Sequence, residues 1–171
     1  STSLIFLAKS EKPTIHLTTP VNNHYTNQTN TEFKFVPSSQ SAISNCSFYG
    51  NFSGNYQLNQ TLTSIISNQE NKFSINLTEG NYIWAISCID NNQNEAITGN
   101  RTLISDFLAP NITVISESSG QPSSADINFQ YNVTDSSPTT CQFSIVLTGS
   151  GTIIYNADVS NCQGAQIFIT T

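Results

Sequence analysis

Charged residues are scarce in this chain of 171 residues, because Asp, Glu, Lys and Arg together make up only 9% of it. Only five residues are Lys or Arg, and the net charge is −6. Binding to phosphate groups needs clustered Lys and Arg, so we expect no nucleic-acid partner. We also expect the stability to depend only weakly on pH, because few carboxylates can gain a proton.

Long apolar runs are missing as well, since no stretch approaches the roughly 20 consecutive apolar residues that a membrane span requires. The short run Leu4–Ala8 near the start has no basic flank before it, so it is not an intact signal peptide. The sequence opens on Ser1 rather than Met. We therefore expect a mature chain from which a signal peptide has been removed.

Motifs of catalytic and metal sites are not found either: there is no G-x-S-x-G, no paired acids and no phosphate loop. His16 and His24 are isolated. Asp90–Asn94 is similar to the first half of a calcium loop, but Glu95 stands where the turn glycine is needed and Arg101 where the final Glu is needed. We expect no enzyme, no metal and no cofactor apart from covalent N-glycans.

Polar uncharged residues and aromatics take the place of charge. The chain has 21 Asn, 24 Ser and 20 Thr beside ten Phe and six Tyr, so it can build cores, unlike disordered chains. Apolar residues alternate with polar ones, as in Tyr82–Cys88, and turn residues separate the runs. A period of two with frequent turns predicts β-sandwiches.

Four cysteines, Cys46, Cys88, Cys141 and Cys162, allow three pairings. Their spacing contains no CxxC metal pattern. Two disulfides, each within one half of the chain, are the simplest interpretation, and they predict an oxidising, extracellular location at the cell surface.

Eight Asn-x-Ser/Thr sequons support the same location, because glycans need exposed backbone in a secreted protein. Where these asparagines fall in a predicted strand, they lie on its outward phase. The predicted glycosylation sites are Asn27, Asn45, Asn51, Asn59, Asn76, Asn100, Asn111 and Asn132.

A half-repeat organises the chain. Pro13–Leu17 and Pro110–Val114 both read P-x-I-x-aliphatic, and each leads through an alternating strand to a cysteine strand, at Cys46 and at Cys141. Two copies of one β-unit are therefore predicted. We expect an N-terminal strand and linker over 1–12, a first sandwich over 13–106 and a shorter, incomplete sandwich over 107–171.

The segment Gly80–Asp90, GNYIWAISCID, resembles the late strand of the immunoglobulin-like repeats of prokaryotic surface proteins. Together with the opening Pro-x-Ile-x-Leu, the resemblance covers residues 13–106 and, weakly, 110–171. It implies an immunoglobulin-like β-sandwich with an inter-sheet Cys46–Cys88 bridge. It does not imply an antibody-type binding site, because Trp84 shares a strand with Cys88.

The two ends of the chain predict how it assembles. After Cys141 only 30 residues remain, so the second sandwich lacks at least one closing strand. Before the first sandwich lies a strand that is apolar on both faces, as a strand buried on both sides should be. This predicted donor strand consists of Ser3, Leu4, Ile5, Phe6, Leu7 and Ala8.

This organisation resembles archaeal threads and bundling pili, and the donor-strand pili of bacteria. It implies an extracellular, glycosylated filament used in adhesion or biofilm, with identical subunits and host or neighbouring cell surfaces as partners. The alternative is a two-domain part of a larger modular adhesin or surface-layer protein. A third class, a glycan-binding module or an accessory domain of a secreted enzyme with Tyr and Trp as its stacking surface, is disfavoured because the phase of Trp84 points inward.

Overall fold

The computed structural model describes residues 11–117, 127–146, 149–160, 162–163 and 166–169. These residues form β-strands and no helix, which confirms the all-β prediction, and they accordingly contain no helix able to span a membrane. The chain divides into two compact units, Ser1–Phe107 and Leu108–Thr171. The predicted donor strand Ser3–Ala8 lies outside the described residues.

The first unit has two sheets. One has the order β1-β3-β6, and the other has the order β2-β9-β7-β4-β5 with β8 also paired to β7. The strands are β1 Thr14–Thr19, β2 His24–Thr26, β3 Asn30–Ser38, β4 Ile43–Gly50, β5 Gln57–Leu62, β6 Asn71–Asn76, β7 Gly80–Asp90, β8 Glu95–Ile97 and β9 Arg101–Ser105.

An aromatic core joins these two sheets face to face, as in a β-sandwich. Phe33 of β3 lies 5.0 Å from Trp84 of β7 and 4.7 Å from Phe48 of β4, measured between ring centroids. Phe73 of β6 stacks on Phe48 at 5.1 Å. All four side chains are at most 1% exposed, so the alternation in the sequence correctly predicts which residues face inward.

The first disulfide joins the predicted cysteines, but not in the predicted way. Cys46 and Cys88 are bonded, and they are register partners on the neighbouring strands β4 and β7 of one sheet. Their Cα atoms are 4.1 Å apart, which fits the narrow, non-hydrogen-bonded position of an antiparallel pair. The expected inter-sheet bridge is therefore wrong: the bond ties two neighbours within a sheet.

The second unit also has two sheets, with the orders β10-β11-β14 and β12-β13. A disulfide joins Cys141, in β12, to Cys162, which follows β13. The strands are β10 Asn111–Glu117, β11 Ile127–Thr134, β12 Thr140–Val146, β13 Ile153–Ser160 and β14 Gln166–Ile169.

Burial predicts different reactivities for the two disulfides. Cys46 and Cys88 are both 0% exposed, as is Cys162, so Cys141, which is half-buried, is the one cysteine of the four that solvent reaches. Because reduction requires a thiolate to reach a sulfur atom, a mild reductant should open Cys141–Cys162 first in the folded protein. Alkylation and peptide mass spectrometry measure this order, and denatured protein, in which both bonds should open together, is the control. Earlier labelling of Cys46 and Cys88 would contradict the prediction.

Candidate functional site

The two units match strand for strand over their first five shared strands. In both, the opening strand is antiparallel to its partner, β1 to β3 and β10 to β11, and each pairing contains a bulge. The bulge lies between Leu17 and Thr19 in β1 and between Val114 and Ser116 in β10. The strands that follow pair in the same order, so that β10, β11, β12, β13 and β14 correspond to β1, β3, β4, β5 and β6. The predicted half-repeat is thus present in the strand pairing.

The units differ at the cysteine strand. In the first unit β4 lies between β5 and β7, so both of its edges are hydrogen-bonded. Among the described residues of the second unit, β12 pairs with β13 alone. Among the described strands of the second unit, none corresponds to β7, β8 or β9. Within the described part of the chain, no strand pairs with the side of β12 that faces away from β13, and a sheet edge of this kind can template pairing with another strand.

An apolar groove lies beside this open edge, on the inner faces of β10, β11 and β12. It has a volume of about 170 Å³, and no lining residue carries a charge. The hydroxyl of Tyr131 is buried and has no hydrogen-bond partner among the described residues. The lining residues are Ile112, Val114, Tyr131, Val133, Cys141, Gln142 and Phe143.

Side chains at equivalent positions of the two units differ in their exposure to solvent. Leu17 of β1 is 8% exposed, whereas its counterpart Val114 of β10 is 62% exposed. Phe48 of β4 is 0% exposed, whereas its counterpart Phe143 of β12 is only half-buried. In the first unit the inward side chains of β7, above all Trp84, cover these positions. The groove is the place where such a strand would pack.

Cysteine placement separates the two units further. In the first, the cysteine of the central strand bonds to β7 itself. In the second, the equivalent Cys141 bonds to Cys162, which lies in the same unit before β14. The disulfide of the second unit therefore involves no strand equivalent to β7.

Asp90–Asn94, the segment similar to the first half of a calcium loop, forms a polar turn whose groups hydrogen-bond to the Asp90 carboxylate. Oδ1 of the buried Asp90 accepts hydrogen bonds from the backbone N–H groups of Asn92 and Asn94, both at 2.9 Å. The Asn94 side-chain amide donates to Oδ2 at 3.0 Å. Burial alone would raise the pKa of Asp90, but these hydrogen bonds and one from Ser39 outweigh it and lower the pKa below its ordinary value. The Asp90 carboxylate is thus held by hydrogen bonds from the turn and from Ser39.

The remaining predicted site residues are spread over the surface. Among the described residues, no group of three or more His, Cys, Asp and Glu side chains could hold a metal ion.

Trp84 is 0% exposed, and it lies under the guanidinium of Arg101, 5.7 Å from the ring centroid, so it offers no stacking surface to a sugar. Asn45, Asn51 and Asn59 are half-buried, whereas the exposed sequon asparagines are Asn27, Asn76, Asn100, Asn111 and Asn132.

Of the residues that line the groove, sequence reasoning singled out only Cys141, and as a disulfide cysteine rather than as part of a groove. Ile112 and Val114 are known from the sequence only as part of the repeated P-x-I-x-aliphatic motif. A signal was available, because the sequence contains a single Trp, Trp84, which follows the first copy of the motif, so residues 110–171 hold no matching Trp.

No family model and no curated protein matches this chain. Among solved structures, fibronectin(III)-like modules of Clostridium thermocellum CbhA align at 10% identity and a TM-score of 0.48, over 92% of this chain and 79% of that one. A 1.5-MDa bacterial ice-binding adhesin aligns at 12% identity and 0.40, over 95% and 55%. Dimeric latent PorU from Porphyromonas gingivalis aligns at 14% and 0.43, over 93% and 17%. The chain thus spans about half of the adhesin structure.

The Asp90 turn predicts a specific pH dependence. A carboxyl group with a lowered pKa in the folded state stabilises the fold above its unfolded pKa, and this stabilisation is lost as the pH falls through the folded pKa. Asp90→Asn should therefore melt below the wild type at pH 7, and the gap should close once the pH falls well below the ordinary value of 3.8. Thermal unfolding between pH 7 and 2 measures this. Equal melting temperatures at pH 7 would contradict the role of the carboxylate.

Proposed function

We propose that this chain is a structural subunit of an extracellular, glycosylated filament of thread or pilus type, assembled by donor-strand complementation. The observation that carries the proposal is the uncovered groove, with Val114 62% exposed where Leu17 is 8% exposed in the first unit. A strand inserted there would pair with β12 on the side away from β13 and bury the apolar lining. The role is structural and includes no catalytic step.

The occupant that we propose is the segment Ser3–Ala8 of a second copy of the chain. Its sequence, SLIFLA, contains five apolar residues and no charge, and the groove lining is likewise uncharged. Apolar residues occur in both alternating phases, so the strand can be covered on both faces. Its six residues are close in length to the seven residues of β12, the strand with which it would pair.

The order of these parts along the chain supports a polymer rather than a closed dimer. The donor segment precedes the first unit and the groove belongs to the second, so each subunit would use one surface to give a strand and another to receive one. A contact between two different surfaces propagates head to tail unless a rotation closes it. Identical subunits are the proposed partners within the filament, and host or neighbouring cell surfaces are those of the assembled filament, in adhesion or biofilm.

A charge placed in the groove should block assembly. In Val114→Arg the inserted strand would bury an unpaired guanidinium, which is strongly unfavourable. Ile97→Arg is the matched control, since Ile97 is an apolar side chain of the first unit with the same 62% exposure. We expect filaments from the wild type and the control, and none from Val114→Arg, in electron micrographs of purified protein.

The isolated variants should melt at the temperature of the wild-type monomer, because both positions are exposed in the single chain. Deletion of residues 1–9 should abolish filaments in the same way, and a synthetic peptide of these residues should bind the deleted chain but not its Val114→Arg form. Normal filaments from Val114→Arg would refute the proposal.

A second candidate, part of a larger modular adhesin or surface-layer protein, is supported by the number of strands that the second unit lacks. The described strands of the second unit include no counterparts of β7, β8 and β9, and one donor strand would replace only one of the three. In this case the groove would be filled by a later part of the same polypeptide. The mass of the protein isolated from its cells separates the two: the modular protein would far exceed 18.6 kDa after its glycans are removed.

A further inference from the structure

We propose that the hydrogen bonding of the amide nitrogen separates structural sequon asparagines from glycan carriers, and that Asn51 and Asn59 are structural residues that carry no glycan. Glycans are then attached at the exposed asparagines. The inference rests on the extracellular location in the proposed function, but not on strand exchange. The proposed attachment sites are Asn27, Asn76, Asn100, Asn111 and Asn132, all exposed.

The chemistry of N-glycosylation makes the amide nitrogen decisive. Transfer from a lipid-linked oligosaccharide breaks the bond between the sugar C1 atom and a phosphate oxygen and forms a bond between C1 and Nδ2 of asparagine. One amide proton is lost, and the lipid phosphate leaves with the electron pair. A glycosylated asparagine therefore keeps only one N–H and must direct Nδ2 towards solvent.

Asn59 cannot meet this requirement in the folded chain. Its Nδ2 donates two hydrogen bonds, to the carbonyl oxygen of Gly50 at 3.0 Å and to that of Gln57 at 2.9 Å. These two bonds hold the β4–β5 hairpin together near its turn. A sugar would remove one of the two hydrogens, and it would have to occupy the space between the hairpin strands.

Asn51 uses both ends of its amide on strand β7. Its Oδ1 accepts a hydrogen bond from the backbone N–H of Ile83 at 2.8 Å, and its Nδ2 donates to the carbonyl oxygen of Asn81 at 3.2 Å. The Asn51 backbone N–H also donates to the Ile83 oxygen at 3.3 Å. Because backbone groups are the partners, oxygen and nitrogen cannot be exchanged, and Nδ2 faces β7 rather than solvent.

The exposed sequons show the opposite arrangement. The side-chain oxygens of Asn27, Asn76 and Asn100 accept hydrogen bonds, from the side chains of Gln28, Asn30 and Tyr56. No described residue accepts a hydrogen bond from Nδ2 in these three. Their nitrogens are consequently available for modification while their oxygens are held.

Asn111 and Asn132 are exposed strand residues, in β10 and β11, and they complete the proposed set. Asn45 is half-buried on the central strand β4 and is assigned to neither group.

Glycopeptide mass spectrometry of the protein isolated from its own cells tests the assignment. We expect unmodified Asn51 and Asn59, and glycans at one or more of the five exposed sites. A glycan on Asn51 or Asn59 in the folded protein would overturn the proposal, as would five unmodified exposed sites. Neither result would change whether filaments form, so this failure is distinguishable from that of the proposed function.

The structural role has its own readout in protein made without glycans. Asn59→Asp removes both N–H donors and turns a carboxylate towards two carbonyl oxygens, so the melting temperature should fall by about 4–8 °C or more, as expected for losing a kcal/mol-scale interaction in a domain of this size. Asn76→Asp is the matched control, because it makes the same change in the same unit but keeps the oxygen that accepts from Asn30. Equal melting temperatures for the two variants would overturn the role of Asn59.

Discussion

A central strand of an antiparallel sheet needs a partner on each edge and a cover over its inner face, and β7 supplies both to β4. Its backbone pairs with β4 from Ile43 to Gly50, while Trp84 fills the space between the sheets. The disulfide at Cys46 and Cys88 fixes the two strands in this register. The core of the first unit, which includes Leu17 and Phe33, depends on the presence of β7.

The described part of the second unit has the same opening strands but no counterpart of β7. This difference accounts for the following features of the second unit. Three features lie where a β7 counterpart would pack. They are the side of β12 with which no described strand pairs, the exposed Ile112 and Val114, and the Tyr131 hydroxyl, which has no hydrogen-bond partner among the described residues. The bond from Cys141 to Cys162 closes the unit by another route. Exposed sheet edges of this kind invite pairing with other chains, and we propose that this chain uses one such edge for assembly.

Sequence patterns predict the local structure of the strands well. Alternation in Tyr82–Cys88 identifies the inward residues because a strand has a period of two, and the repeated Pro-x-Ile motif locates both opening strands. The sheet relation of Cys46 and Cys88 was not predictable from the pattern, since a spacing of 42 residues suits facing and neighbouring strands equally. The structural role of Asn59 was not predictable either, because a sequon does not show which backbone oxygens surround it.

Amide hydrogen exchange along β12 is the most direct measurement of the central claim. In the single chain, the alternate amides of Thr140–Val146 that point away from β13 should exchange rapidly, while the corresponding amides of β4, paired with β7, are protected. In assembled material the same β12 amides should become as protected as those of β4. Two results would contradict the account. One is protection, in the monomeric chain, of the β12 amides that point away from β13, and the other is rapid exchange of the same amides after assembly.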